Sequence, residues 1–121
     1  MTVNEQKLND SIGQVLADIG GACSVALVRM GDALGLYRVL HEHGPLTSAE
    51  LAEKAGIAER YAREWLSHQA ASDYLAYDPD TTAFSLPPEQ AMVFVDEDSP
   101  VYLMGAFDGV VAWANNQPMV E

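Results

Sequence analysis

Leu46-Thr47-Ser48-Ala49-Glu50-Leu51-Ala52-Glu53-Lys54-Ala55-Gly56 carries the start and the stop of a short helix. Thr47 and Glu50 have the spacing of a capping box, in which the hydroxyl takes the Glu50 amide and the carboxylate returns to the Thr47 amide. Leu46 and Leu51 flank that box where a hydrophobic staple packs. The spacing predicts a helix over Ser48 to Ala55 that stops at Gly56. A second helix follows from Glu59 to Ser72, with an apolar stripe of Ala62, Trp65, Leu66 and Ala70 and with Gln69 at its polar edge. Two helices joined by a glycine-containing turn form a helix-turn-helix pair. Tyr74-Leu75-Ala76-Tyr77 then reads as a strand, Asp78-Pro79-Asp80-Thr81-Thr82 as a turn, and Ala83-Phe84-Ser85-Leu86 as the return strand. Residues 46–86 therefore predict a winged helix-turn-helix core whose hairpin is the wing.

Residues 1–45, on the N-terminal side, read as helices. Leu8, Ile12, Val15, Leu16 and Ile19 recur at three- and four-residue spacing. Gly20-Gly21 predicts a break or kink, since each glycine costs about 1 kcal/mol in a helix interior. From Ala22 to Leu34 the polar positions are Ser24, Arg29 and Asp32, besides Gly31, so this segment is expected to be buried on several sides, with a second subunit supplying cover. Cys23 falls within it and reads as an inert core thiol. A further helix, Leu36 to His43, ends at Gly44-Pro45. His41 and His43 are two residues apart and do not share a helix face, so they read as stabilising a helix C-terminus and not as metal ligands.

Residues 87–121 return to helix. Pro87-Pro88-Glu89-Gln90 opens a short one. Val95-Asp96-Glu97-Asp98 lacks the spacing of a calcium loop and reads as a solvated turn. Ser99 as N-cap and Pro100 as first residue predict a helix over Val101 to Asn115. Gly105 and Gly109, four apart, predict close packing against a neighbour. The whole is expected to be one compact, mainly α domain: a winged helix-turn-helix with a small β-hairpin wing and extra N- and C-terminal helices for dimerisation.

Length and composition bound the function. The 121 residues suffice for one domain, and 49% apolar with 20% charged residues is a folding composition. No unbroken apolar run approaches the roughly 18 residues of a membrane span, and Met1 to Asp10 lack the pattern of a signal peptide. The single cysteine excludes an internal disulfide framework. These features predict a cytoplasmic protein with no membrane partner. There is no phosphate-binding loop, no G-x-G-x-x-G and no βαβ alternation, so the chain is expected to hold no cofactor, no metal and no catalytic residue of its own.

Charge weighs against nucleic acid. The net charge is −12, distributed as −2 over residues 1–45, −4 over 46–86 and −6 over 87–121. DNA affinity rests on Lys and Arg displacing counterions along the phosphates. Arg60 and Arg63 on the outer face of the second helix are the candidate DNA contacts. Glu59 and Glu64 flank them, and Asp78 and Asp80 occupy the wing tip. Surface pairing with those glutamates is the competing role for both arginines.

Four segments together resemble the start of a class of bacterial S-adenosylmethionine-dependent methyltransferases. They are Ala26 to Tyr37 (ALVRMGDALGLY), Gly44 to Ala52 (GPLTSAELA), Glu59 to Leu66 (ERYAREWL) and Phe84 to Glu89 (FSLPPE). The resemblance runs from about Asp18 to Phe107. It implies a non-catalytic N-terminal winged-helix domain that forms a homodimer through its helices and helps cover the pocket of a small-molecule methyl acceptor. A catalytic domain that binds S-adenosylmethionine would follow it. This chain ends at Glu121, where that domain would begin, so the expectation is a fragment or truncated product of a methyltransferase. The resemblance places Phe107, Trp113 and Met119 as substrate-lining candidates, with domain core or dimer interface as their competing role. The alternatives are a standalone winged-helix transcriptional regulator using Arg60 and Arg63, and a small-ligand or protein-partner module.

Overall fold

The computed structural model describes residues 2–115. Among these, six helices surround one antiparallel hairpin, in the order α1 (Glu5–Ala33), α2 (Leu36–His43), α3 (Ser48–Ala55), α4 (Glu59–Ala71), β1 (Ala76–Asp78), β2 (Ala83–Ser85), α5 (Pro88–Phe94) and α6 (Met104–Ala114). The fold is the expected mainly helical winged helix-turn-helix.

The capping box at Thr47 and Glu50 is formed in both directions. The Glu50 amide donates to Thr47 Oγ1 at 3.3 Å, and the Thr47 amide donates to Glu50 Oε1 at 3.0 Å. The Thr47 amide above all, and then the Thr47 side chain, hold the Glu50 carboxyl below its ordinary pKa. Leu46 and Leu51 are both buried beside it. Gly56 ends α3 in the left-handed region at φ 70°, which a side chain rarely tolerates. Thr47→Ala is expected to cost about 1 kcal/mol. A carboxyl with a depressed pKa contributes stability above its unfolded value and loses it as pH falls. The penalty of Glu50→Ala in thermal melts should therefore be full at neutral pH and shrink below about pH 4.

The wing has a third partner that the sequence did not announce. β1 pairs β2 through Ala76–Ser85, Tyr77–Phe84 and Asp78–Ala83. Leu46, just before α3, exchanges both backbone hydrogen bonds with Phe84, at 2.9 and 2.7 Å. The start of the helix-turn-helix is thereby stitched to the wing.

The core lies where α2, α3, α4 and α5 meet. Tyr37 of α2 is stacked on Phe94 of α5, with ring centroids 4.7 Å apart, and meets the edge of Trp65 of α4 at 5.0 Å. Leu36, Leu40, Leu51 and Leu66 complete this centre.

Several local expectations are corrected. Gly20 and Gly21 do not break α1, which is one uninterrupted helix of 29 residues. The Ala22–Leu34 segment is not buried on several sides: within α1 only Val28 and Gly31 are buried. Cys23 is exposed and is not a core thiol. The last helix starts at Met104 and not at Val101, because Ser99 Oγ accepts the Val101 amide in a tight turn and the Leu103 amide goes to the Val93 carbonyl. A Cβ at Gly105 or Gly109 would meet nothing within 4 Å, so neither glycine serves close packing among the described residues. Gln69 is not at an edge: it is fully buried.

The membrane reading of α1 is also revised. The helix contains an 18-residue window of mean hydropathy 1.5, long and apolar enough by length and composition to cross a membrane. Counting unbroken runs missed it because isolated polar residues interrupt a high average. Those polar residues are ordered, however. Gln6, Asp10, Gln14 and Asp18 follow one another at four-residue spacing, with Gln6 donating to Asp10 at 2.8 Å and Gln14 to Asp18 at 2.9 Å. Leu8, Ile12, Val15, Leu16 and Ile19 occupy the opposite side. This is an amphipathic helix with a hydrated stripe, and a bilayer would have to bury the Asp18 carboxylate of that stripe.

Candidate functional site

The dominant surface feature is the face of α1. Every residue from Glu5 to Cys23 is exposed, so about two thirds of the helix extends without cover from the other described residues. Its apolar stripe, Leu8, Ile12, Val15, Leu16 and Ile19, is 47–62% exposed. Most helical stability in proteins comes from packing of the apolar face and not from intrinsic propensity.

The stripe leads into an apolar groove of about 520 Å³ between the C-terminal part of α1 and α4. Leu27, Met30 and Leu34 form one wall, and Ile57, Tyr61 and Trp65 the other. Tyr61 and Met30 are themselves exposed at its rim. The two helices are held together by Trp65, whose indole N–H donates to the Leu27 carbonyl at 2.9 Å while its ring lies directly on Gly31.

Beside this apolar contact runs a chain of four polar side chains. The Tyr37 hydroxyl donates to Gln69 Oε1 in the core. Gln69 Nε2 lies 3.4 Å from His68 Nδ1, and His68 Nε2 lies 3.3 Å from Ser24 Oγ on α1. The chain gives the buried amide partners on both sides, as burial of a polar group requires. Burial also pushes the Tyr37 hydroxyl well above the usual tyrosine pKa, so it stays protonated and donating.

On its other flank α1 is tied to α6 by Arg29, whose Nε donates to Asp108 Oδ1 at 2.8 Å. Arg38 of α2 pairs with Glu97 at 3.1 Å nearby. Asp32 sits between these pairs. Burial raises its carboxyl pKa, the Asp108 charge adds to the rise, and Arg38 and Arg29 oppose it. A carboxyl raised in the folded state favours folding while protonated, and that contribution is lost as pH rises through the folded value. Ionised Asp32 therefore works against folding at neutral pH. Asp32→Asn is expected to raise the melting temperature at pH 7 and to leave it unchanged near pH 3. Equal gains at both pH values would contradict this assignment.

The substrate-lining candidates do not converge. Phe107 is half-buried and packs toward Phe94, with centroids 6.1 Å apart. Trp113 is 79% exposed on a different side of α6. Met119 lies outside the described residues. The two DNA candidates are both exposed on α4: Arg60 Nε is 3.4 Å from Glu64 and Arg63 Nε is 4.0 Å from Glu59. Both arginines thus face carboxylates of their own helix. Asp78 and Asp80 stand at the exposed wing tip, where Asp78 caps the Asp80 amide at 2.9 Å.

A family model of Rv2258c-like winged helix-turn-helix domains matches residues 22–95. The chain belongs to this family. The match spans α2 to α5 together with α1 from Ala22 onward, and leaves out the earlier part of α1 and all of α6. No curated protein sequence matches the chain significantly. Among solved structures, this winged helix-turn-helix chain is similar to the mitomycin 7-O-methyltransferase MmcR, with a TM-score of 0.70 and 24% identity over 81% of this chain and 29% of that one. It is also similar to CalO1, a methyltransferase of calicheamicin biosynthesis in its SAH-bound form, with a TM-score of 0.64 and 24% identity over 88% and 29% of the two chains. An O-methyltransferase family protein from Burkholderia thailandensis matches with a TM-score of 0.65 and 19% identity over 98% and 32%. At these identities the likeness is one of fold. The chain spans about 30% of the length of these structures, the size of their winged-helix portion.

Proposed function

We propose that this chain is the N-terminal winged-helix part of an S-adenosylmethionine-dependent methyltransferase, joining two copies through its helices and covering the pocket of a small-molecule methyl acceptor. On this reading residues 1–45 are dimerisation helices, 46–86 the winged core, and 87–121 the helices that lead toward a catalytic domain, in a cytoplasmic enzyme. One observation carries it: from Glu5 to Cys23 α1 is amphipathic and wholly uncovered. A helix whose apolar stripe finds no partner among the described residues needs one from elsewhere. A second copy presents the same stripe and the same α1–α4 groove. The methyl donor would be bound by the following domain, since the described residues hold no glycine-rich loop after a strand. Phe107 and Trp113, with Met119 beyond them, would approach the acceptor from the α6 side.

Sedimentation equilibrium of the 121-residue chain should give twice its 13.1 kDa mass at micromolar concentration. Calorimetry should find no S-adenosylmethionine binding to it. A monomer persisting at about 100 μM, far above the working range of a stable interface, would remove the dimerisation reading.

The exposed outward position of Arg60 and Arg63 favours a second reading, a DNA-binding regulator. The pairing of Arg60 with Glu64 and the acidic wing tip oppose it. Salt-dependent retardation of DNA fragments, lost in R60A/R63A, would reinstate it.

A further inference from the structure

We infer that the pocket between α4 and the wing is a binding site for a small hydroxylated aromatic acid. The cavity is about 490 Å³, within the roughly 300–1,000 Å³ of small-molecule sites. It occupies the surface that a DNA-reading winged helix turns toward the duplex. Its apolar wall is aromatic: Phe84 is buried, and the Tyr77 ring, 4.7 Å from it, is half open to solvent.

The polar groups around that wall have a specific character. Ser48 Oγ donates to Glu59 Oε1 at 2.7 Å, Ser67 Oγ donates to the Arg63 carbonyl at 2.8 Å, and Thr82 Oγ1 donates to the Thr81 carbonyl at 2.6 Å. Each hydroxyl has one proton, and each of these protons is already engaged. What the three oxygens offer to the cavity is lone pairs. Arg63 is the opposite. Its nearest carboxylate contact, Glu59, is 4.0 Å from Nε, beyond hydrogen-bond distance, so its guanidinium donors stay available.

A ligand that satisfies this set brings O–H groups to the serine and threonine oxygens, an anionic group to Arg63 and a flat ring to Tyr77. A phosphate backbone brings no such donors. Thr82 adds an independent sign. It holds φ 56°, in the left-handed region that disfavours a β-branched residue. Strain of this kind is retained where the side chain is used, and the Thr82 side chain lines the cavity.

The test is an amide chemical-shift titration of the 121-residue chain with 3,4-dihydroxybenzoate, and with benzoate as the probe lacking hydroxyl donors. Dihydroxybenzoate should give saturable shifts at the start of α3, along α4 and in the wing, and should bind about tenfold tighter than benzoate. Arg63→Gln is at an exposed position and should keep the parent's circular dichroism while weakening dihydroxybenzoate by about tenfold. Thr82→Gly relieves the strained backbone and should reduce the preference over benzoate. The inference fails if no saturable shift appears at 10 mM probe (on the order of the weakest useful affinity), if shifts centre on the α1–α4 groove, or if R63Q binds as the parent does. Since this pocket lies away from the α1 stripe, neither result alters the outcome of the sedimentation test.

Discussion

Trp65→Ala is expected to destabilise the domain by about 3–5 kcal/mol, the usual cost of emptying a large buried aromatic site. Trp65 is 4% exposed and makes three kinds of contact at once. Its ring edge meets Tyr37, its N–H holds the Leu27 carbonyl, and its face covers Gly31. The last contact makes a sharper test. A Cβ added at Gly31 would lie 2.2 Å from Trp65 Cζ2 and 2.7 Å from Cε2. The indole is rigid and tethered, so it cannot step aside cheaply. Gly31→Ala should therefore cost about 2 kcal/mol of overpacking even though alanine is worth about 1 kcal/mol more than glycine in a helix. In the double variant the new methyl has room, and the two penalties should fall short of their sum by more than 1 kcal/mol, a coupling typical of residues in contact. Denaturant melts of the four proteins measure it. Strict additivity would mean that the indole does not sit on Gly31.

Ile12→Glu combined with Leu16→Glu is expected to weaken the proposed dimer by more than about 100-fold. Burying two new carboxylates in an apolar interface costs several kcal/mol, and the substituted chain repels its own copy. Both positions are exposed in the single chain and touch no core residue, so the winged core should melt as before. Far-UV circular dichroism should fall as well, because the uncovered part of α1 loses the packing that sustains it. A variant that sediments as the parent does would show that this stripe is not the interface. The opposite choice, Gln6→Ala with Gln14→Ala, removes only side-chain hydrogen bonds on the hydrated stripe and should leave association unchanged.

The local signals of this chain were strong enough to place most elements to within two residues. Thr47, Glu50 and Gly56 bounded α3, Gly44-Pro45 bounded α2, and Asp78-Pro79-Asp80 set the wing. Each acts over one turn of chain, where capping hydrogen bonds and left-handed glycines leave few alternatives. The same local logic failed at Gly20-Gly21. An intrinsic helix penalty of about 2 kcal/mol was outweighed by the helical residues on either side, and no neighbour asks the chain to turn there. It failed again at Ser99-Pro100, where the Val93 carbonyl, ten residues before Leu103, captured the Leu103 amide and delayed α6.

By itself the sequence determined the secondary structure between Leu36 and Phe94, the acidic character that argues against a phosphate partner, and the presence of more apolar helix than one small domain can cover. Which of that apolar surface is covered was decided only in three dimensions. Sequence reading expected burial from Ala22 to Leu34, yet there the chain buries Val28 and Gly31 and leaves most of the rest, and all of the earlier stripe, in solvent. The pairing of Trp65 with Gly31, the burial of Gln69 against Tyr37 and the joining of Leu46 to Phe84 likewise link residues 32 to 38 positions apart. Periodicity reports which face of a helix is apolar. Which element lies against that face depends on the packing of all the others, and no spacing within one helix encodes it.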